Sequence, residues 1–297
     1  MSMTNQRKTL RLLMPQWQGG DYDLSIRTGE LYPLGSRILA FLAPKSDAPL
    51  IEVPIAPYTG AERPRENGVV WQSVVLQQMR AARDIIAEHA PDRVIAFGGD
   101  CLISQAPLDY LNGRYQGNLG VLWIDAHPDV STPADHDREH AMVLGNLLGG
   151  GDPVFAKEVK NQLKARQVMI IGVEKYNSDA EKETVKQFGL PVLQAGDVAE
   201  NSDAVLRWIR ENTFDNIAIH FDLDVLDPKV FYSQFPMDPD AKPSGTALGK
   251  LTFPQATRLI TDVAGAANVV GLGIAEHMPW DARNLKHMME QFSFMKE

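Results

Sequence analysis

The sequence predicts a three-layer α/β/α sandwich built on a mostly parallel central sheet. Two observations carry that expectation. Short apolar runs alternate along the chain with longer segments of helical periodicity, the pattern of strands covered by helices on both faces. Several of those runs also release polar, ligand-type residues at their carboxyl ends, where open α/β sheets place their sites.

Taken in order, Leu10–Met14 opens the series as a β-like run. Gln72–His89 follows with Val75, Met79, Ala82, Ile85 and Ile86 at helical spacing, and Pro91 is its stop signal. Arg93–Phe97, Leu119–Ile124, Val168–Gly172, Ile217–Phe221 and Val269–Ala275 read as strands. Asp203–Glu211 and Phe253–Ala264 read as helices between them. Ser233–Gly249, rich in Pro, Gly and Asp, reads as a long surface loop and not as a linker. With no repeat or charge block dividing it, the chain is expected to form one domain over residues 1–297.

Composition narrows the function classes. A hydrophobic fraction of 44% and a charged fraction of 23% suit a globular protein and not a disordered or fibrous one. The formal net charge of -9 argues against nucleic-acid or membrane-surface partners, which need a basic face. Cys101 is the single cysteine, so no intramolecular disulfide can form, as expected of a reducing cytoplasm. The polar Met1–Lys8 stretch lacks the apolar core of a signal peptide, and no apolar run reaches the length of a membrane span. The expectation is a soluble, cytoplasmic protein.

Four strand ends carry the chemistry. They read Gly98-Gly99-Asp100-Cys101, Asp125-Ala126-His127-Pro128-Asp129, Asp222-Leu223-Asp224 and Glu276-His277. Alternate residues of extended backbone point the same way, so Asp125, His127 and Asp129 form one convergent set and Asp222 and Asp224 another. Carboxylates gathered at one sheet edge repel unless cations neutralise them. Carboxylates mixed with imidazole suit a divalent ion such as Mn²⁺. Either motif alone also fits turn chemistry, since Asp and Gly are good turn residues. The two together, each directly after a buried-type strand, point to metal.

On the first three of these motifs, the third continuing through Val225-Leu226-Asp227-Pro228, the chain resembles the ureohydrolase family of arginases, agmatinases and formiminoglutamases. The resemblance implies an arginase-like three-layer fold and two Mn²⁺ ions per subunit. It implies hydrolysis of a linear amidine C–N bond in a guanidino or formimino compound by a metal-bridging hydroxide, releasing urea or formamide. It also implies a homo-oligomer, a trimer or hexamer. By position, Asp125 and Asp222 look like the carboxylates that bridge both ions. Asp129 would complete one ion's ligands, and His127 and Asp224 the other's. Asp129 would also hold the hydroxide, Glu276 would pair with the substrate cation, and His140 would relay protons to the leaving amine. Asp100 and Asp227 read as turn residues, and His136, His220 and His277 as structural or rim histidines.

Two departures from the family qualify this. Cys101 stands where a metal-binding histidine is usual. It is a ligand to a softer ion, a bystander beside a weakened position, or the mark of a degenerate paralogue. At the substrate end, Asn177 replaces the arginase aspartate that meets the substrate's α-amino group, and Ser131 replaces an asparagine that meets its carboxylate. Arginine is therefore not assumed as substrate. The alternative to an enzyme is a catalytically degenerate member acting as a regulatory or ligand-binding subunit.

Overall fold

The computed structural model describes residues 7–21, 28–57, 59, 62–239 and 245–295. Its strands are β1 (Thr9–Met14), β2 (Leu50–Glu52), β3 (Arg65–Glu66), β4 (Val69–Val70) and β5 (Arg93–Gly98). They continue as β6 (Gly120–Ile124), β7 (Val168–Ile171), β8 (Val192–Leu193), β9 (Asn216–Asp222) and β10 (Asn268–Ala275). Eight of them form one sheet in the order β2-β1-β5-β10-β9-β6-β7-β8, with every pairing parallel. The other two, β3 and β4, make a small antiparallel hairpin.

The helices are α1 (Thr28–Leu42), α2 (Gln72–His89), α3 (Gln105–Arg114), α4 (Val143–Leu147), α5 (Pro153–Ala156), α6 (Asp179–Phe188), α7 (Asp203–Glu211), α8 (Phe253–Ala266) and α9 (Trp280–Glu290). They give the sheet two separate cores. Ala218 of β9 faces a cluster containing Val75, Met79, Ala82 and Ile86 of α2 and Leu108 and Leu111 of α3. Its neighbours Ile217 and Ile219 face the opposite cluster, with Val205 and Ile209 of α7 and Leu259 and Val263 of α8. Alternation along one strand thus feeds both layers, which is the three-layer sandwich expected.

Local signals set the element ends. In α2 the buried positions recur at helical spacing, and the helix closes on Ala90 in a left-handed conformation (φ 41°) just before Pro91. Helix α8 starts from a capping box in which Thr252 and Gln255 satisfy each other's backbone N–H groups, with Pro254 in the first turn. The described part of Ser233–Gly249 is a loop with a short turn at Phe235–Met237, as expected, and residues 240–244 of it lie outside the described residues. Residues Met1–Gln6 of the polar N-terminal stretch also lie outside them.

The sheet order matters most for function. The four strands whose ends carry polar motifs, β5, β10, β9 and β6, are consecutive neighbours at the sheet centre. Registers Ile124↔Phe221 and Ala275↔Asp222 bring Asp125, Asp222 and Glu276 to one level. The β5 end is locked to both sides: Glu276 N donates to Gly99 O (2.7 Å) and Gly99 N donates to Met14 O (3.0 Å). A Cβ on Gly99 would stand 1.6 Å from the Gln16 carbonyl oxygen, so backbone would have to move. We expect Gly99→Ala to destabilise the protein by about 3 kcal/mol, the upper range for overpacking a rigid site. A urea unfolding midpoint shifted down with unchanged slope checks this.

Candidate metal centre

The predicted residues converge. Asp125, Asp129, Asp222, Asp224, Cys101 and Glu276 are all buried at the carboxyl edge of the four central strands. Backbone geometry aims two of them: Asp129 (φ 48°) and Glu276 (φ 63°) sit in the left-handed region, uncommon for residues with a side chain. Each is held there, Asp129 by Gly145 N donating to its carbonyl (3.0 Å) and Glu276 by its bond to Gly99.

Hydrogen bonds organise each carboxylate. Asp125 Oδ1 accepts from His127 N (2.6 Å), and its Oδ2 accepts from Trp123 Nε1 (3.0 Å). Asp222 Oδ1 accepts from Asp224 N (2.7 Å), and its Oδ2 accepts from the Cys101 thiol (3.0 Å). His127 Nδ1 lies 3.0 Å from Asp224 Oδ2. Among the described residues, three groups place their donor atoms within 4.8 Å of one another: Asp125, His127 and Asp224; Cys101, Asp125, Asp129 and His220; and Cys101, His140 and Glu276. Asp125 belongs to the first two. His127 Nε2 and Asp129 Oδ2 are buried without a hydrogen-bond partner, which a buried polar atom seldom tolerates.

The charge balance is consistent with a cation site. Burial, then the charges of neighbouring carboxylates, pushes Asp129 and Asp222 well above the ordinary range. Burial, then the carboxylates led by Asp129, does the same to the Cys101 thiol. Burial likewise drives Glu276 up to about 8 although Tyr32 donates to it. Burial also opposes ionisation of Asp125, but the imidazoles of His127 and His220 beside it hold its carboxyl low. His127 is raised: burial disfavours its charge, and the carboxylates of Asp224 and Asp125 together outweigh that. Buried groups that hold protons beside a crowd of other acidic groups are groups on which a divalent ion would replace those protons. The donor set fits metal.

A cleft of about 350 Å³ opens over this floor. Ser131 and Asn177 line it, as does His140, whose Nδ1 lies 3.5 Å from Glu276 Oε1. Burial lowers His140 to about 4, with Asp100 acting the other way. Asn177 Oδ1 accepts from Ala247 N (2.9 Å), so its amide N–H₂ is the group left to meet a ligand. Asp100 serves a turn, as read: its Oδ1 accepts from Leu102 N (3.1 Å) and from Gln16 Nε2 (2.8 Å). Asp227 likewise accepts from Lys229 N (2.8 Å).

The sequence reading missed three residues. Tyr32, from α1, clamps Glu276 across 244 positions of sequence, and nothing local announces it. Glu181 of α6 lines the cleft and accepts from Asn177 N (2.8 Å). His220, read as structural or at the rim, has its ring at the centre with Cys101, Asp125 and Asp129. Its signal was present: His220, Asp222 and Asp224 continue one alternating series.

The sequence matches the Arginase family over residues 52–288. The chain belongs to the arginase family. This is a family of metal-dependent hydrolases acting on C–N bonds of linear amidines. An arginase of Staphylococcus aureus is 23% identical over 205 residues, covering 66% of this chain and 64% of that protein. The structure of Entamoeba histolytica arginase in complex with L-ornithine superposes with a TM-score of 0.71 at 20% identity, over 92% of this chain and 91% of that one. Formimidoylglutamase of Bacillus subtilis superposes with a TM-score of 0.64 at 16% identity, over 91% of this chain and 79% of that one. These likenesses establish the arginase-like fold, and among the described residues no helix is long and apolar enough to cross a membrane.

The raised carboxyls give a pH prediction for the metal-free protein. Glu276 keeps its proton to about 8, against about 4.3 for an ordinary glutamate. Across that window the native state holds more protons than the unfolded chain, so stability falls as pH rises. His140, lowered to about 4, works in the opposite sense only below its ordinary value near 6.5. We expect the melting temperature of metal-free protein to fall between about pH 6.5 and about pH 8, and added divalent ion to raise it more at the higher pH. Calorimetry at the two pH values decides; a metal-free midpoint that climbs over this interval contradicts the assignment.

Proposed function

We propose that this protein hydrolyses the C–N bond of a small guanidino or formimino compound at a two-ion centre on Asp125, His127, Asp129, Asp222, Asp224 and Cys101. The observation that most supports this reading is Asp125, shared between two donor groups on adjacent strand ends, the arrangement of a bridging carboxylate. Manganese is the family expectation, with the Cys101 position open to a softer ion. Bound ions would supply a water acidic enough to act as nucleophile at neutral pH.

The chain's own groups divide the remaining work. Asp129, with one buried oxygen unpartnered, holds the attacking water by a hydrogen bond. Glu276 meets the planar amidinium, whose forked N–H groups match a carboxylate, and Tyr32 fixes its orientation. A cationic substrate also favours the ionised form of Glu276. Neutral His140, 3.5 Å from Glu276, stands where a proton can pass to the leaving amine. At the mouth, Ser131 and the N–H₂ of Asn177 offer hydrogen-bond donors, which suit a carboxylate or carbonyl on the substrate's tail. No aspartate at position 177 meets an α-ammonium group, so a substrate lacking that group fits better than arginine.

The direct test incubates protein loaded with Mn²⁺, Zn²⁺ or Fe²⁺ with guanidinobutyrate, agmatine, formiminoglutamate and arginine, following urea, formamide and ammonia. Turnover of at least one, with arginine not the best, is expected. Folded, metal-loaded protein with no turnover would favour the ligand-binding alternative. His140→Asn should lower kcat by about 100-fold or more, the usual loss of a general acid–base group, while metal content stays unchanged.

A further inference from the structure

His220 is the one buried imidazole at the centre that the proposed chemistry leaves unused. It pairs in register with Trp123 of β6 and Gly273 of β10, one alternation below Asp222. Its ring stacks on the Trp123 indole with centroids 3.8 Å apart and planes at 16°. Nδ1 lies 2.7 Å from Ser104 Oγ. Gly273 leaves room for that pair, since a Cβ there would stand 2.8 Å from the Ser104 hydroxyl. Three strands and the turn after Cys101 thus fix the ring.

The opposite edge of the ring is what needs an explanation. Nε2 is buried with no hydrogen-bond partner. Its nearest carboxylate oxygen, Asp125 Oδ2, is 3.6 Å away and already accepts from Trp123 Nε1. That separation is too long for a hydrogen bond. It does match the edge between two donors on one ion: metal–donor bonds of about 2.1 Å in tetrahedral geometry put neighbouring donors about 3.4 Å apart. Cys101 Sγ and an Asp129 oxygen complete the group within 4.8 Å. A ligand histidine ordinarily bonds its second ring nitrogen to a neighbour, which fixes the tautomer and turns the other lone pair to the ion. Ser104 is placed for that task.

We infer that His220 is a metal ligand, supplying the imidazole that Cys101 displaces, so that Cys101, Asp125, Asp129 and His220 form a sulfur–nitrogen–oxygen position selective for zinc or ferrous ion. This rests on the two-ion reading above. The substitution at residue 101 is then compensated from β9, and the centre is asymmetric. The partner position on Asp125, His127 and Asp224 has only oxygen and imidazole donors and remains suited to manganese.

X-ray absorption at the zinc edge of the unmodified protein, loaded with one equivalent, tests the ligand set directly. One sulfur at about 2.3 Å together with one imidazole is expected. The same signature should persist in His140→Asn, because His140 is the other imidazole near Cys101. Loss of the imidazole in that variant, or zinc without sulfur, overturns the inference. In parallel, metal analysis after dialysis against mixed Mn²⁺ and Zn²⁺ should give one of each per chain. His220→Ala should then retain manganese and weaken zinc binding by at least about 100-fold, the upper end of what losing an outer-shell partner costs. Unchanged zinc affinity in a folded His220→Ala protein overturns the role of His220 and leaves the two-ion reading intact. Unmodified protein that binds no metal overturns both.

Discussion

Repulsion among buried carboxyls is the constraint on which this structure turns. Asp100, Asp125, Asp129, Asp222, Asp224 and Glu276 are all nearly inaccessible to solvent at one end of the sheet. Two unit charges 4 Å apart repel by about 4 kcal/mol even at an effective dielectric of about 20. Several such pairs would exceed the whole net stability of an ordinary domain. The fold relieves this in part with backbone donors: His127 N, Asp224 N and Leu102 N each cover one oxygen. His127 supplies a cation, and protons held on Asp129, Asp222 and Glu276 supply the rest. Protons are the weakest of these solutions near neutral pH, because solvent competes for them. A divalent ion is the stronger one, and the cluster is arranged to receive it.

The sheet makes such a concentration of charge geometrically possible. Parallel strands all point their carboxyl ends the same way, and the order β5-β10-β9-β6 sets four motif-bearing ends side by side. Regular strand backbone would carry Asp129 and Glu276 past the centre. The left-handed conformations at both positions turn the chain back, at a cost of about 1–3 kcal/mol each. Such strain persists only where surrounding bonds over-determine it, and Gly145 and Gly99 provide those bonds. The same bond from Glu276 to Gly99 ties β10 to β5, so the strained residue also joins two strands at the floor of the cleft.

What was legible in the sequence follows from the range of each interaction. Helices α2 and α7 have apolar stripes set by local periodicity, and their ends match the expected residues. The central strands agree within one or two residues for the same reason. Helix α1 holds Pro33 and Gly35, and α3 is buried nearly all round with Pro107 and Gly113 inside it, so neither shows a clean stripe. Helix α6 buries only Glu181 and Val185, too few to make a period. In the site, the alternating sets Asp125–Asp129 and Asp222–Asp224 were readable because two-residue spacing is a local property. Tyr32 on Glu276 and Ser104 on His220 depend on partners far off in sequence. His220 shares the two-residue spacing of Asp222 and Asp224, but it lies inside the apolar strand and not at its end, which is why it was read as structural.

The placement of the departures also has a physical sense. Asp125, His127, Asp222 and Asp224 occupy strand ends whose positions the sheet hydrogen bonds dictate, and a change there must be answered by another residue of the same scaffold. His220, one alternation below Asp222 on the same strand, is placed to answer Cys101 in that way. Ser131 and Asn177 stand on loops lining the cleft, outside the strand ends that carry the acidic cluster, where side-chain donors can be exchanged without moving the sheet. The floor and the mouth are therefore under different constraints. On the reading proposed above, an amidine carbon is attacked at a floor kept nearly intact while the tail of the substrate changes with two loop residues. Membership of the arginase family thus constrains the bond that is broken far more tightly than the molecule that carries it.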